Sequence, residues 1–436
     1  LPLPGKTLFY LLWLLLATAI IARSAPPLLV AWKAVAIAAL ALAILDGVRL
    51  SRREVPRIRR LAPDSLALGQ WHEIGLRLTN DGRHTLQVEV FDHYPAEAKL
   101  WGLPRTVQLT GNGGWAEVVY RIAATERGDV RFTGVQMRIQ SPWRLWRRDR
   151  MLDLAHDARV YPNFAAVAHY RLLATDNRVG QMGIRHYRRR GQGLEFHQLR
   201  EYREGDALRQ IDWKTTARLR RLTAREYQDE RNQEVIFLID CGHRMRARDQ
   251  ELSHFDHALN AMLLLTYVAL RQGDAVGIGT FGGTARWLKP AKGQNTASRI
   301  LDTLYDLQPT TGAPDYEEAA VALVERQKKR ALVIVVTNLR EEDNSELLPA
   351  VQLLRRHHLV LVASLREEVL TTMIEQPVLE FRDALLNASA HHYLQTRYQG
   401  LDRLRASGVE CVDVAPSGLS VALINSYLAI KASGRL

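Results

Sequence analysis

Hydrophobic and polar positions divide the chain into three regimes. From Leu8 to Ala22 the sequence LFYLLWLLLATAIIA carries no charge, and from Pro26 to Leu45 a second apolar run holds only Lys33. A core helix of a soluble protein shows a polar stripe, and these runs do not. A bilayer core takes about 20 apolar residues as a helix, a length the second run meets and the first approaches. Lys33 lies near the start of its run, where a long side chain snorkels to the headgroups. The pair predicts a transmembrane helical hairpin over residues 1–50, turning at Arg23 to Ala25. A second reading makes the first run a signal peptide, with Lys6 as its basic region and Ala22 and Ser24 as small residues before a cut. The hairpin is preferred.

From Leu61 to about Phe164 the period becomes two. HEIGLRLTN, LQVEVFDHY, RTVQLTG, WAEVVYRIA and VRFTGVQMRI alternate between turn signals at Asn80-Asp81-Gly82, Gly111-Asn112-Gly113-Gly114 and Arg127-Gly128-Asp129. Short strands at this spacing predict an antiparallel β-sandwich-like domain over residues 55–165. Arg127-Gly128-Asp129 reads as a hairpin turn rather than an adhesion motif.

Beyond Gln233 apolar strands alternate with amphipathic helices. VIFLID (Val235 to Asp240), AVGIGTF, ALVIVVTNL, HLVLVASL and VECVDVA read as strands; 251–271, 297–306, 316–328 and 420–431 read as helices. Continuous apolar runs suit strands buried on both faces. The alternation predicts a doubly wound α/β domain over residues 235–436, whose ligand positions are the carboxyl ends of its strands.

Charge refines the picture. The net charge of +12 invites a nucleic-acid reading, but no nucleic-acid-binding motif accompanies it. Arg49, Arg52, Arg53, Arg57, Arg59 and Arg60 follow the second apolar run, and the positive-inside bias places that side, with the soluble body, in the cytoplasm at the inner membrane. These arginines are assigned to the lipid surface. Only Cys241 and Cys411 are present, which fits a reducing compartment.

Several motifs are weak. Gly277-Ile278-Gly279-Thr280-Phe281-Gly282 matches a dinucleotide fingerprint, but the glycines fall inside a strand and another strand-like segment follows, where the fingerprint needs a helix. There is no GxxxxGK[ST] loop and no GxSxG elbow. His357-His358 and His391-His392 are adjacent pairs, which do not converge on a metal as i, i+4 histidines do. Cys241 and His243 lie at a strand end, yet residues two apart there seldom bond as a nucleophile and its base.

The end of the first α/β strand carries a resemblance. VIFLID, the helix after it and the order of later strands resemble a von Willebrand factor A domain. That family often holds a divalent ion through an Asp-x-Ser-x-Ser loop, a Thr on a second loop and an Asp on a third. This chain keeps Asp240, but Gly242 and Arg244 replace the serines, the loop Thr311 to Asp315 has no Thr at the corresponding place, and Asn338 replaces the last Asp. A degenerate metal site and no cofactor are expected.

The segment over residues 177–234 mixes arginine with acid: GLEFHQLREYREGDALRQIDWKTTARLRRL. It is similar to the signature of bacterial domain-of-unknown-function family 58, whose members join a membrane hairpin and a β-rich domain to a von Willebrand A-like domain. Glu195, Arg200, Tyr202, Gly205, Asp206, Arg209, Asp212, Trp213 and Arg218 carry the match, with SPWRLWRR (Ser141 to Arg148) and VYPN (Val160 to Asn163) as further features. Physically, Trp213 offers an apolar anchor, and Arg200, Arg209 and Arg218 can fork to Glu195, Asp206 or Asp212. The motif is either a lock between domains or a partner surface; the lock is preferred. The resemblance implies a partner of the MoxR-type AAA+ ATPase class. The resulting expectation is a membrane-tethered, non-enzymatic adaptor whose contacts are membrane lipid and such an ATPase, with no specific nucleic acid. The alternative is a metal-dependent von Willebrand A-type binding module. The sequence leaves the oligomeric state open.

Overall fold

The computed structural model describes residues 2–23, 26–163, 195–203, 208, 211–228, 233–249, 251–293 and 295–435. The apolar runs form helices α1 (Lys6–Ala22) and α2 (Pro26–Ser51). By length and composition α2 is able to cross a membrane, whereas α1, at 17 residues, is shorter. The two pack together, with Trp32 Nε1 donating to the Leu15 carbonyl and to Thr18 Oγ1, each at 3.2 Å. Phe9, Tyr10, Trp13, Val30 and Ile37 are exposed along them.

The chain divides into two units, 1–161 and 162–436. The first adds to the helices β1 (Leu3–Pro4), β2 (Arg57–Leu61), β3 (Ser65–Ala67), β4 (Trp71–Asn80), β5 (Leu86–His93), β6 (Ala98–Trp101), β7 (Arg105–Leu109), β8 (Gly114–Ala124), β9 (Gly128–Gln140) and β10 (Trp146–Tyr161). One sheet runs β1-β10-β9-β5-β7, with β3 added parallel to β10; the other runs β2-β4-β8-β6 and is antiparallel. Period-two burial follows the alternation: Ile74, Leu76 and Leu78 on β4 and Leu86, Val88 and Val90 on β5 are buried.

Arg60 departs from the expected lipid-facing run. It crosses between the sheets to Asp92 at 2.6 Å, with side chains 3% and 0% exposed, and Tyr120 Oη donates to the same carboxylate at 2.6 Å. A buried charge needs a partner and hydrogen bonds, and β5 supplies both. Burial, then the Asp92 charge, pushes the Tyr120 phenol far above its ordinary range. Arg127-Gly128-Asp129 is not a hairpin turn: it carries the chain from β8 in one sheet to β9 in the other. Gly128 there has φ +118°, open to glycine at little cost.

The second unit contains β11 (Glu195–Glu201), α3 (Trp213–Leu219) and β12 (Thr223–Gln228), with β11 and β12 paired antiparallel. Then come β13 (Glu234–Asp240), the two-residue strands β14 (Arg248–Asp249) and β15 (Leu252–Ser253), α4 (His254–Arg271), β16 (Ala275–Phe281), β17 (Trp287–Ala291), α5 (Asn295–Leu304) and α6 (Tyr316–Arg326). The rest is β18 (Leu332–Thr337), α7 (Asn344–Arg355), β19 (Leu359–Leu365), α8 (Glu368–Glu375), α9 (Phe381–Ala406), β20 (Glu410–Val414) and α10 (Leu419–Ser433).

The main sheet has the order β17-β16-β13-β18-β19-β20, parallel except for the edge strand β17. Val235, Phe237 and Ile239 join the core of α4, α5 and α10, while Ile236 and Leu238 join that of α6, α7 and α9. This two-sided burial is why the strand reads as a continuous apolar run. The glycine-rich match falls as the strand pattern implies: β16 leads into β17, and a Cβ on Gly277 would come within 2.8 Å of Pro290. α4 begins at His254 rather than 251, because Ser253 and Asp256 form a capping box there.

Candidate functional site

The carboxyl ends of β13, β18, β19 and β20 hold a polar assembly. Asp240, the last residue of β13, is fully buried. Its Oδ1 accepts from the Gly242 N–H at 2.6 Å and its Oδ2 from Thr337 Oγ1 at 2.7 Å. Tyr316 Oη lies 2.9 Å from the same threonine hydroxyl. Burial raises the Asp240 pKa, against the opposing pull of the Gly242 and Thr337 hydrogen bonds and the Arg244 charge.

Arg244 follows on a short 3-10 turn, His243–Arg246. Its buried guanidinium pairs with Asp343 and with Glu342, the latter at 2.9 Å. His243 N–H donates to the Gly312 carbonyl at 2.9 Å, with Nδ1 3.1 Å from the same oxygen. The contacts of His243 with Gly312 and of Arg244 with Glu342 thus join the loops at 240–244, 312–315 and 338–342 directly. Asp315 is turned to a different task and caps α6, accepting from the Glu318 N–H at 2.8 Å.

Asn338 donates through Nδ2 to Glu367 Oε1 at 2.8 Å and accepts at Oδ1 from Arg397 Nη1 at 3.2 Å. Arg397, 2% exposed on α9, also donates to Asp413 Oδ1 at 2.7 Å, Ser364 Oγ at 2.6 Å, the Leu365 carbonyl at 2.7 Å and the Leu339 carbonyl. One guanidinium therefore ties together the ends of β18, β19 and β20. Burial by itself would raise the Glu367 pKa; the Asn338 hydrogen bond, with the Arg397 and Arg340 charges, outweighs it and holds the carboxyl below its ordinary range. The sequence reading missed Arg397, Glu367 and Asp413. They have no shared local spacing, and only the tertiary fold assembles them.

These groups do not fit a divalent ion. Hard cations want several free oxygens, yet both Asp240 oxygens already accept protein donors, Gly242 has no side chain, and Arg244 brings a cation. Asn338 is engaged at both ends of its amide. Cys241 is fully buried in the α4 core, whereas His243 is exposed and turned to Gly312. The two are not arranged as nucleophile and base.

In the arginine-rich segment, Asp212 is the N-cap of α3, accepting from the Thr215 N–H at 3.0 Å. It pairs with Arg225 at 2.8 Å, a partner the sequence reading did not name, because β12 places Arg225 beside the cap. The Thr215 and Arg225 hydrogen bonds lower its pKa. Trp213 is 65% exposed, and Arg218 is exposed too. Arg200 Nη1 donates to the Glu201 carbonyl at 3.1 Å, and the Tyr202 N–H to the Leu222 carbonyl at 2.9 Å. Glu195 opens β11 opposite Gln228. Gly205, Asp206 and Arg209 lie outside the described residues.

No curated protein matches the chain. Among solved structures it is similar over 47% of its length to proximal thread matrix protein 1 from the mussel byssus, covering 47% of that chain at 10% identity and TM-score 0.28. It is similar over 24% of its length to Salmonella alpha-2-macroglobulin, of which it spans 7%, at 17% identity and TM-score 0.20. A FixG-related protein from Vibrio parahaemolyticus matches 24% of the chain over 97% of its own, at 8% identity and TM-score 0.18. Likenesses of this size leave function open. Residues 198–383, from β11 into the start of α9, match the family described as "Protein of unknown function DUF58".

Proposed function

We propose that the protein is a membrane-tethered, non-enzymatic adaptor whose α/β unit docks a partner protein, with a MoxR-type AAA+ ATPase as the partner class that the family resemblance implies. One observation carries the reading. Between α8 and α9, shortly after the carboxyl end of β19, Leu379 is 84% and Phe381 86% exposed, with Val378, Leu385 and Leu386 also open to solvent. Contiguous exposed apolar side chains of this size mark interaction surfaces. The parallel sheet covered on both faces supports the von Willebrand A-like reading, and the mutual engagement of the groups at its strand ends suits a rigid platform. The length and apolar surface of α2 support the tether, and the arginines after it support a cytoplasmic body at the inner membrane.

The test is co-purification of the ATPase with the full chain from detergent extracts. Leu379→Ser with Phe381→Ser should abolish recovery while leaving the melting temperature unchanged. Undiminished recovery with the double variant would remove the proposed surface.

A further inference from the structure

The strongest unexplained feature of the first unit is a basic cleft where α2 ends. It has a volume of about 200 Å³ and is lined by Arg52, Arg53, Arg83 and His84, with Glu54 as its only carboxylate. Among the described residues Arg52 and Arg83 form no ion pair. The Arg53 Nη1 donates to the Thr85 carbonyl at 3.2 Å. Burial, against the pull of Asp46 and together with the Arg49 charge, lowers the Arg53 pKa, so an anion at this place would meet under-compensated positive charge.

The surroundings repeat the signature. Ser141–Arg148, far along the chain, folds back onto the same end of α2. Trp146 Nε1 donates to the Ala43 carbonyl at 2.7 Å, Arg148 Nη1 to the Arg53 carbonyl at 3.2 Å, and Arg49 lies 5.3 Å from the Trp143 ring centroid. The Gly5 N–H bonds the Leu145 carbonyl at 2.7 Å, which brings the start of α1 and Lys6 to this end as well. Trp143 is 43% exposed. Tryptophan and arginine gathered at the end of an apolar helix is the composition of a membrane–water interface, and Arg52 and Arg53 are the first residues beyond α2.

We propose that this cleft binds the phosphate of an anionic lipid headgroup. Guanidinium groups bind phosphate through forked, charge-assisted hydrogen bonds, and the cleft has room for one such group. The inference rests on the tethered reading, because only a spanning α2 sets Arg52 at headgroup depth. Inorganic phosphate shares the chemistry, so the test separates the two sources.

The full chain is placed in nanodiscs of phosphatidylcholine alone or mixed with phosphatidylglycerol, and bound lipid is counted by mass spectrometry after detergent extraction. The expected result is retained phosphatidylglycerol and a raised melting temperature in the mixed discs. Arg52→Gln with Arg83→Gln should weaken retention about tenfold or more, Arg52→Lys with Arg83→Lys should keep part of it, and Arg382→Gln, at an exposed residue that does not line the cleft, should change nothing. Equal behaviour in both discs, or full retention by the double glutamine variant, overturns the site. Equal protection by inorganic phosphate in detergent overturns the lipid assignment. Carbonate washing of native membranes separates the underlying readings: release of the chain overturns both, whereas a chain that stays bound without lipid preference overturns this one alone.

Discussion

Ser141 Oγ donates a 2.5 Å hydrogen bond to the buried Asp46 Oδ2, joining the last turns of α2 to the β9–β10 connection across 95 residues of sequence. The Ser141 hydroxyl in turn accepts from the Trp146 N–H at 3.0 Å. Ser141→Ala leaves a buried carboxylate short of a donor, at a cost of about 1–3 kcal/mol. Ser141→Thr keeps the hydroxyl and should recover most of it. The measurement is thermal unfolding of the full chain in detergent; equal melting temperatures for wild type and Ser141→Ala would show that the joint contributes nothing.

Arg397 makes a second joint of this kind, inside the α/β unit. Arg397→Met strands Asp413 and the Asn338 carbonyl oxygen, and breaking a buried pair from one side costs about 3–5 kcal/mol. Arg397→Lys should recover only a minor part, because an ammonium cannot reach strand ends on β18, β19 and β20 with one planar fork. Denaturant unfolding measures both, and a lysine variant as stable as wild type would contradict the hub.

Trp213 and Asp212 are neighbours with opposite expected roles. The indole is largely exposed, so Trp213→Ala should leave the melting temperature close to that of wild type and act, if anywhere, on partner binding. Asp212→Ala removes both the α3 cap and the Arg225 pair and should lower the melting temperature clearly more. A Trp213→Ala variant that melts well below Asp212→Ala would instead favour the domain lock.

Two buried carboxyls give opposite pH dependence. Asp240 has a raised pKa in the folded state, so its unfolded form ionises first. Its contribution is best at acid pH and falls as pH rises from the ordinary carboxylate range towards the folded value. Asp240→Asn should therefore gain on wild type as pH rises. Glu367 has a lowered pKa, so its contribution is present above the ordinary glutamate range and lost as pH falls through the folded value. Glu367→Gln should be less stable than wild type at neutral pH, with the gap closing in acid. Parallel pH profiles for both variants and wild type would refute the assignment.

How much of this was legible follows from the range of each interaction. The strand Val235 to Asp240 announced itself because both of its faces are buried, and α2 because it lacks a polar stripe. α8 and α9 were not foreseen: Leu385 and Leu386 near one end of α9 are exposed whereas Leu401 and Leu404 near the other are buried, so no single stripe runs its length. The site was half visible. Asp240, Arg244 and Asn338 stand at strand ends that periodicity locates. Arg397, Glu367 and Asp413 reach them only through tertiary folding. Arg60 was misplaced because its sequence neighbours are surface arginines, and nothing local reveals Asp92 across the sandwich.

The arrangement around Asp240 also predicts how the protein meets divalent cations. Both carboxylate oxygens are taken by donors, and Arg244 adds positive charge, so calorimetry should detect no Mg²⁺ binding tighter than about 1 mM. Binding below that level, lost in Asp240→Ala, would place an ion there after all. Substituting Arg244→Ser should be insufficient to create a site, because the Gly242 loop is closed down: a Cβ at Gly242 would lie 3.0 Å from Asp240 Oδ1, from the Gly312 carbonyl and from Pro314 Cδ. Gly242→Ser should thus destabilise the unit by forcing the loop apart, and it should do so whether or not Mg²⁺ is supplied. If Mg²⁺ rescued the stability of the Gly242→Ser, Arg244→Ser double variant, the loop would be a metal site held shut only by these two residues.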